Sequence, residues 1–219
     1  GTYCGYSAVQ LARACPGRRI LSLEADPVVA TIARSLIAHA GLAHIVDVRV
    51  GHSEDILPHL RELPNACRPP FNLVFFDQRG SRYTDDLNIL EQLDALAPNA
   101  TIVADNVLKP GAPAFLWRVI RGGDFKTEVL SVQEYAMPGV EDWMSVSVRI
   151  ANPPEGGSNG STVPPMPADV KRLEREADWI RSRAEQRPGV DFTAWAKFVA
   201  QMRAGLERSG LGPQTRTKR

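Results

Sequence analysis

A chain of 219 residues, 43% hydrophobic and 23% charged, has the length and make-up of one α/β domain plus an extension. Its formal net charge of +1 gives no electrostatic footprint for nucleic acid, and no apolar run approaches the roughly 20 residues that span a bilayer. Three cysteines (Cys4, Cys15, Cys67) at no metal-type spacing speak against a zinc ribbon or a disulfide scaffold and for a reducing, cytoplasmic setting.

The chain opens on GTYCGYSAVQLARACPG. Gly1 and Gly5 flank Tyr3 and Cys4, and Ser7 leads into a run of good helix formers that Pro16-Gly17 closes. A glycine turn entering a helix usually leaves a β-strand. It lets a ligand approach the backbone, and it offers unpaired N–H groups to an anion. With no strand before Gly1, the sequence reads as cut just after the first strand of a nucleotide-binding unit. A plain surface turn stays open at this point.

RRILSLEADP then reads as a buried strand ending in acids. Asp26 caps a helix with Pro27 at its first position, Val28, Ile32 and Leu36 mark its apolar face, and Gly41 closes it. IVDVRV is a second strand, and Ser53 begins a helix through Leu60. FNLVFFD is an apolar strand followed by a helix over TDDLNILEQLDALAP. ATIVADN and APAFLWRVIRG give the next strand and helix. FKTEVLSVQEY and DWMSVSVRI are two strands with no helix between them; the second alternates Met144, Val146, Val148, Ile150 with Ser145, Ser147, Arg149.

Strands alternating with helices imply βαβ units and a parallel sheet, and two consecutive strands imply an antiparallel hairpin at one edge. The expected fold is α/β: a Rossmann-like, mostly parallel sheet with an antiparallel C-terminal hairpin and a C-terminal helical extension. Residues 1–151 are the expected domain. Residues 152–167, rich in Pro, Gly and Ser, read as a linker. Residues 168–219 read as two amphipathic helices and a basic tail ending in RTKR. Val170, Leu173, Ala177 and Ile180 mark one helix; Phe192, Trp195, Val199, Met202 and Leu206 mark the other. The helices are expected to pack on the domain or on a partner, and the Asn159-Gly160-Ser161 triplet reads as a chance glycosylation match.

In open α/β sheets ligands bind beyond the carboxyl ends of the strands. Glu24, Asp77 and Asp105 each follow an apolar run directly, and such clustered acids are costly without cations. Glu24 suits the hydroxyls of a ribose. The glycines do not form G-x-G-x-x-G, which disfavours a nicotinamide cofactor and suits a nucleoside without pyrophosphate, such as S-adenosylmethionine. Asp77, Asp105 and Asn106 offer hard oxygens of the kind Mg²⁺ takes, against the alternative of a simple Asx turn at ADN.

Taken together, GTYCGYSAV, LSLEADP, GHSEDILPHL, FFDQRGSRY, ADNVLKPGAPAF and QEYAMPG resemble, in order, the motifs of the catechol O-methyltransferase family. The resemblance runs over residues 1 to about 150 and leaves residues 152–219 outside it. It implies an S-adenosylmethionine- and Mg²⁺-dependent class I methyltransferase acting on a catechol or other phenolic substrate, with the family's N-terminal helices absent. Carried over residue by residue, Tyr3, Gly5 and Ser7 border the methionine part of the cofactor, and Glu24 holds its ribose. Ser53, Glu54 and Gln78 border its adenine. Asp77, Asp105 and Asn106 ligate Mg²⁺. Glu134 accepts from the hydroxyl that is not methylated, and Pro110 and Tyr135 wall the ring. The family's basic lysine falls at Gly80 and its aromatic gatekeeper at Arg79, so metal-assisted ionisation or another base must act. The alternative is a methyltransferase-like protein that binds without catalysing.

Overall fold

The computed structural model describes residues 1–64, 67–134, 137–150, 163–187 and 189–214. Tyr135, the Asn159 triplet, most of the expected linker and the RTKR tail lie outside the described residues. The chain is α/β and falls into two compact units, Gly1–Phe71 with Asp86–Leu96, and Asn72–Asp85 with Ala97–Arg219.

The first unit carries α1 (Tyr6–Ala14), β1 (Ile20–Glu24), α2 (Pro27–His39), β2 (Val46–Val50) and the short α3 (Ser53–Ile56). β1 and β2 pair in parallel, from Ile20 opposite Val46 to Glu24 opposite Val50. The expected helix from Ser53 to Leu60 is cut to one turn, because Pro58 has no N–H to continue the ladder and the chain tightens into a 3₁₀ turn over Leu57–His59. Asp26 caps α2 as expected, its Oδ1 accepting from the N–H groups of Val28 at 2.7 Å and Val29 at 3.2 Å.

The face that α2 buries differs from the expected one. Val28, Ile32 and Leu36 are exposed, whereas Ala30, Ala33 and Ile37 enter a core with Ala8, Val9, Ala12, Val46 and Val48. Small residues win that face because α1 comes close. A Cβ placed on Gly5 stands 3.3 Å from the Ala33 carbonyl oxygen and 3.4 Å from Ile37 Cδ1. Gly5 is also left-handed, at φ 91°. Gly5→Ala is therefore expected to cost about 1–2 kcal/mol from the backbone alone, read as a lower midpoint in urea denaturation.

The second unit shares β3 (Phe71–Phe76) and α4 (Tyr83–Gln92) with the first and carries β4 (Leu96–Ala104), α5 (Pro113–Arg121), β5 (Phe125–Gln133), β6 (Glu141–Arg149), α6 (Ala168–Glu185) and α7 (Phe192–Arg208). The expected long helix after β3 stops early. Asp94 adopts φ 47°, Ala95 N–H turns back to the Leu90 carbonyl at 2.8 Å, and the chain re-enters as β4 at Leu96. The sheet order is β3-β4-β6-β5. β6 runs antiparallel to both β4 and β5, so the expected hairpin is present, with its second strand inside and its first at the edge. The alternation in β6 buries Trp143, Ser145 and Ser147 and leaves Val148 and Ile150 exposed.

α6 and α7 bury Val170, Leu173, Ala177 and Ile180, and Phe198, Val199, Met202 and Leu206. They meet at Gly205, where an added Cβ would lie 2.5 Å from Leu173 Cδ2. Of the two expected resting places they take the domain. Glu174 Oε2 accepts the Ala114 N–H at 2.8 Å, inside the first turn of α5. Arg203 Nη1 pairs with Glu141 Oε2 at 2.7 Å, and Met202 and Ala177 face Gly111. Phe192 stays exposed, and no helix among the described residues is long and apolar enough to cross a membrane.

Candidate active site

In the first unit, the opening turn is laced to the end of β1. Glu24 Oε2 accepts the N–H groups of Thr2 at 3.0 Å and Tyr3 at 2.8 Å, and its Oε1 accepts that of Asp26 at 3.0 Å. Thr2 Oγ1 adds a bond to the Leu23 carbonyl at 2.9 Å. Burial pushes the Glu24 carboxyl up, but the three N–H donors outweigh it, so it lies below the usual glutamate range and stays ionised. Gly5 has no side chain to cap α1, and so leaves the first-turn N–H groups to a ligand. Ser7 lies in that first turn, Tyr3 stands exposed beside it, and Ser53 and Glu54 open α3 just beyond β2. An ionised acceptor at a strand end and uncapped N–H groups at a helix start fit a nucleoside whose other end is an amino-acid carboxylate.

The second unit brings Asp77 and Asp105 together. They follow neighbouring strands, β3 and β4, and the Asp105 N–H donates to the Phe76 carbonyl at 2.9 Å. The buried Tyr83 hydroxyl lies 3.2 Å from the Gln78 carbonyl and 3.1 Å from the Asp105 carbonyl, while its ring stacks on Phe76 at 5.3 Å. Burial above all, then the charges of Asp77 and Asp105, hold the Tyr83 hydroxyl far above its usual range, so it remains a donor. Burial also raises the Asp105 carboxyl. The Asn106 N–H opposes that, and the charges of Asp77 and Glu134 add to it.

Asn106 sits in the left-handed region, and its Nδ2 donates to Asp142 Oδ2 at 2.8 Å. Because a carboxylate only accepts, the amide oxygen must face the other way, available as a ligand. Asp142 also takes the N–H groups of Lys109 at 2.9 Å and Trp143 at 2.7 Å through Oδ1. Burial raises its carboxyl to about 6, against these three donors and with the Asp105 charge adding to the rise. Among the described residues no three His, Cys, Asp or Glu side chains gather into a metal cage. A metal here would rest on two carboxylates, one amide and water, which fits Mg²⁺ and its reluctance to shed water.

Beside these groups lies a cleft of about 470 Å³, within the range of small-molecule sites. Gln78, Pro110 and Glu134 line it, as the sequence suggests. Lys109, Arg181 and Trp195 line it as well and were not expected there. Lys109 Nζ pairs with Glu134 Oε2 at 2.6 Å and lies 5.3 Å from the centre of the Trp195 ring. Gly80 leaves room for Arg181, whose Nη2 donates to the Gly111 carbonyl and whose Nη1 meets Asp178 at 2.6 Å. Arg79 pairs with Glu185 at 2.9 Å on the exposed rim.

The O-methyltransferase family profile matches residues 1–115. A catechol O-methyltransferase from Sus scrofa is 41% identical over 138 residues, 62% of this chain and 73% of the relative. This chain belongs to the catechol O-methyltransferase family. A transmembrane O-methyltransferase from Homo sapiens is 40% identical over 144 residues, 65% of the chain and 49% of the relative. The chain thus spans about half the length of most curated family members it matches. Among solved structures, an O-methyltransferase from Bacillus cereus in complex with SAH superposes with a TM-score of 0.60 at 26% identity, over 68% of this chain and 71% of that one. TomG from Streptomyces achromogenes, in complex with SAM, gives 0.59 at 28% identity, over 68% and 70%. The family match ends before α6 and α7, so Arg181 and Trp195 reach the cleft from a segment that the family profile does not cover.

Proposed function

We propose that the protein transfers a methyl group from S-adenosylmethionine to one oxygen of a catechol-like vicinal diol, with Mg²⁺. The observation that carries this reading is that Asp105, followed directly by Asn106, lies within electrostatic reach of both Asp77 and Glu134, and that Asn106 and Glu134 line one cleft of about 470 Å³. When bound, S-adenosylmethionine supplies an electrophilic methyl group and Mg²⁺ a Lewis acid that favours the ionised diol. Asp77, Asp105 and the Asn106 oxygen would hold the metal, with Asp142 fixing which way the amide faces. Tyr3, Gly5, Ser7 and Glu24 would hold the methionine and ribose ends of the cofactor, and Ser53, Glu54 and Gln78 its adenine. Glu134 would accept a hydrogen bond from the hydroxyl that keeps its proton, and Pro110, with Tyr135, would wall the ring. Holding acceptor and donor in line is itself a large part of such catalysis, since no covalent intermediate with the protein is needed.

The test is transfer of labelled methyl from S-adenosylmethionine to catechol, with Mg²⁺ and with a chelator. Transfer that needs the metal supports the reading. Cofactor binding without transfer to any of a panel of catechols would make this a ligand-binding relative instead. For the cofactor half of the site, Glu24→Gln is expected to weaken S-adenosylmethionine binding by about 1.5–3 kcal/mol, roughly 10- to 150-fold, as befits hydrogen bonds to a charged group. Calorimetry checks it, and unchanged affinity would remove Glu24 from the ribose site.

A further inference from the structure

We propose that Trp195, carried by α7, is the aromatic wall against which the acceptor ring lies, so that the C-terminal extension sets which acceptors bind. The inference rests on the acceptor reading above and adds to it a residue from outside the matched family segment. It starts from the chemistry of the cleft walls. A catechol ring is apolar except at its hydroxyls, and it gains by leaving water only against an apolar surface. Gly80 aside, the apolar residues that line the cleft are Pro110, Ala184 and Trp195, and the others are charged or carry side-chain amides. Two of these three come from α6 and α7, and Trp195 is the aromatic one among them.

The same cleft has Glu134 on its wall, and Lys109 ties the two together. The Lys109 ammonium lies 5.3 Å from the centre of the Trp195 ring and 2.6 Å from Glu134 Oε2, which places the ring centre no more than about 8 Å from that oxygen. A hydroxyl that donates to a carboxylate stands about 2.5–3.0 Å from it, and neighbouring aromatic rings sit with their centres about 4.5–7 Å apart. A single ring anchored on Glu134 is therefore within reach of Trp195. Arg79, where the resemblance expects an aromatic gatekeeper, pairs instead with Glu185 at 2.9 Å on the exposed rim.

The wall is also fixed before any ligand arrives. Trp195 sits in the first turn of α7, where Asp191 accepts the Ala194 N–H at 2.8 Å through its side chain and the Trp195 N–H at 3.0 Å through its carbonyl. Phe198 meets the indole edge-on at 5.9 Å, and the buried Phe198, Val199, Met202 and Leu206 anchor the helix. The indole itself is half-buried, so part of it stays open to a ligand. A surface held in this way loses little freedom when a ring settles on it.

The experiment compares the Michaelis constants of the wild type, Trp195→Gln and Trp195→Phe for catechol and for S-adenosylmethionine at saturating Mg²⁺. KM does not depend on how much of the enzyme is folded, so a folding loss lowers the apparent kcat alone. Trp195→Gln is expected to raise the KM for catechol about tenfold or more and to leave that for S-adenosylmethionine within about twofold. Trp195→Phe, which keeps an aromatic face, is expected to stay within about threefold of the wild type for both. If the Gln variant turns over too slowly, calorimetry of 4-nitrocatechol binding with Mg²⁺ and S-adenosylhomocysteine present should show the same weakening. An unchanged affinity for the catechol in the Gln variant would overturn the proposal. So would a rise shared equally by both substrates, which marks a general disturbance, or a Phe variant as poor as the Gln variant. If the wild type transfers methyl to no catechol at all, the acceptor reading fails and this inference goes with it.

Discussion

Asp105→Ala is expected to remove the Mg²⁺-dependent part of methyl transfer, a loss of about 10³-fold or ~4 kcal/mol, the scale on which a Lewis acid stabilises developing charge. The carboxylate stands at the end of β4, next to Asp77 and near Glu134, and its burial works against its own ionisation. The charges of Asp77 and Glu134 add to the burial that raises the Asp105 carboxyl, so its ionised form is a cost to the fold that a bound cation would offset. The substitution should therefore leave thermal stability unchanged or slightly raised, since it removes one repelling charge and only one hydrogen bond, from the Asn106 N–H at 2.8 Å. The activity loss and the unaltered melting curve have to appear together. Titration with Mn²⁺, followed by its paramagnetic resonance signal, should show the loss of the ion independently of turnover. A variant that keeps full turnover and full Mn²⁺ affinity shows that the metal assignment is wrong.

Much of this site was legible because strand ends are. An apolar run that stops on an acid marks the carboxyl edge of a sheet, and Glu24, Asp77 and Asp105 all lie at such edges. The order of the elements followed from the same alternation. What escaped was whatever depends on how closely two backbones approach. The helical period of Val28, Ile32 and Leu36 was real, but Ala30 and Ala33 let α1 and Gly5 come near, and closeness rather than hydrophobicity chose the buried face. The end of α4 turned on a left-handed Asp94, a conformation that a run of helix formers does not announce. Asp142 stands in the sequence as the first residue of the DWMSVSVRI strand with no role assigned to it, yet it is buried and holds both Asn106 and Lys109. Arg181 and Trp195 lie about 75 and 90 residues from the Asn106 turn in sequence, and only the packing of α6 and α7 brings them to the cleft. Lys109 was hidden differently: it sits inside the ADNVLKPGAP motif, at one of the positions to which the resemblance assigns no role.

Gly80→Lys, which places the family's residue type at the family's position, is expected to destabilise the fold by about 2–4 kcal/mol rather than to raise activity. The backbone at Gly80 is ordinary, so the obstacle is space. A Cβ there would stand 2.9 Å from Arg181 Nη2, 3.0 Å from the Gly111 carbonyl oxygen and 3.3 Å from the Ala112 Cβ. Two of these neighbours are fixed by the turn that carries Lys109 and Pro110. The third is the tip of a long side chain, but one that is 5% exposed and bonded at both ends, to Gly111 and to Asp178. Moving it forfeits a charged hydrogen bond to a buried carbonyl, and leaving it overpacks the site. If Arg181 is what keeps position 80 empty, removing it should relieve the crowding. Gly80→Lys and Arg181→Ala should then be coupled, the double variant being more stable than the sum of the single losses predicts by about 1 kcal/mol or more. Urea denaturation of the four proteins in that cycle gives the coupling directly. A Gly80→Lys variant as stable as the wild type, with strictly additive losses, would show that α6 does not dictate the glycine and that Arg181 is only a neighbour.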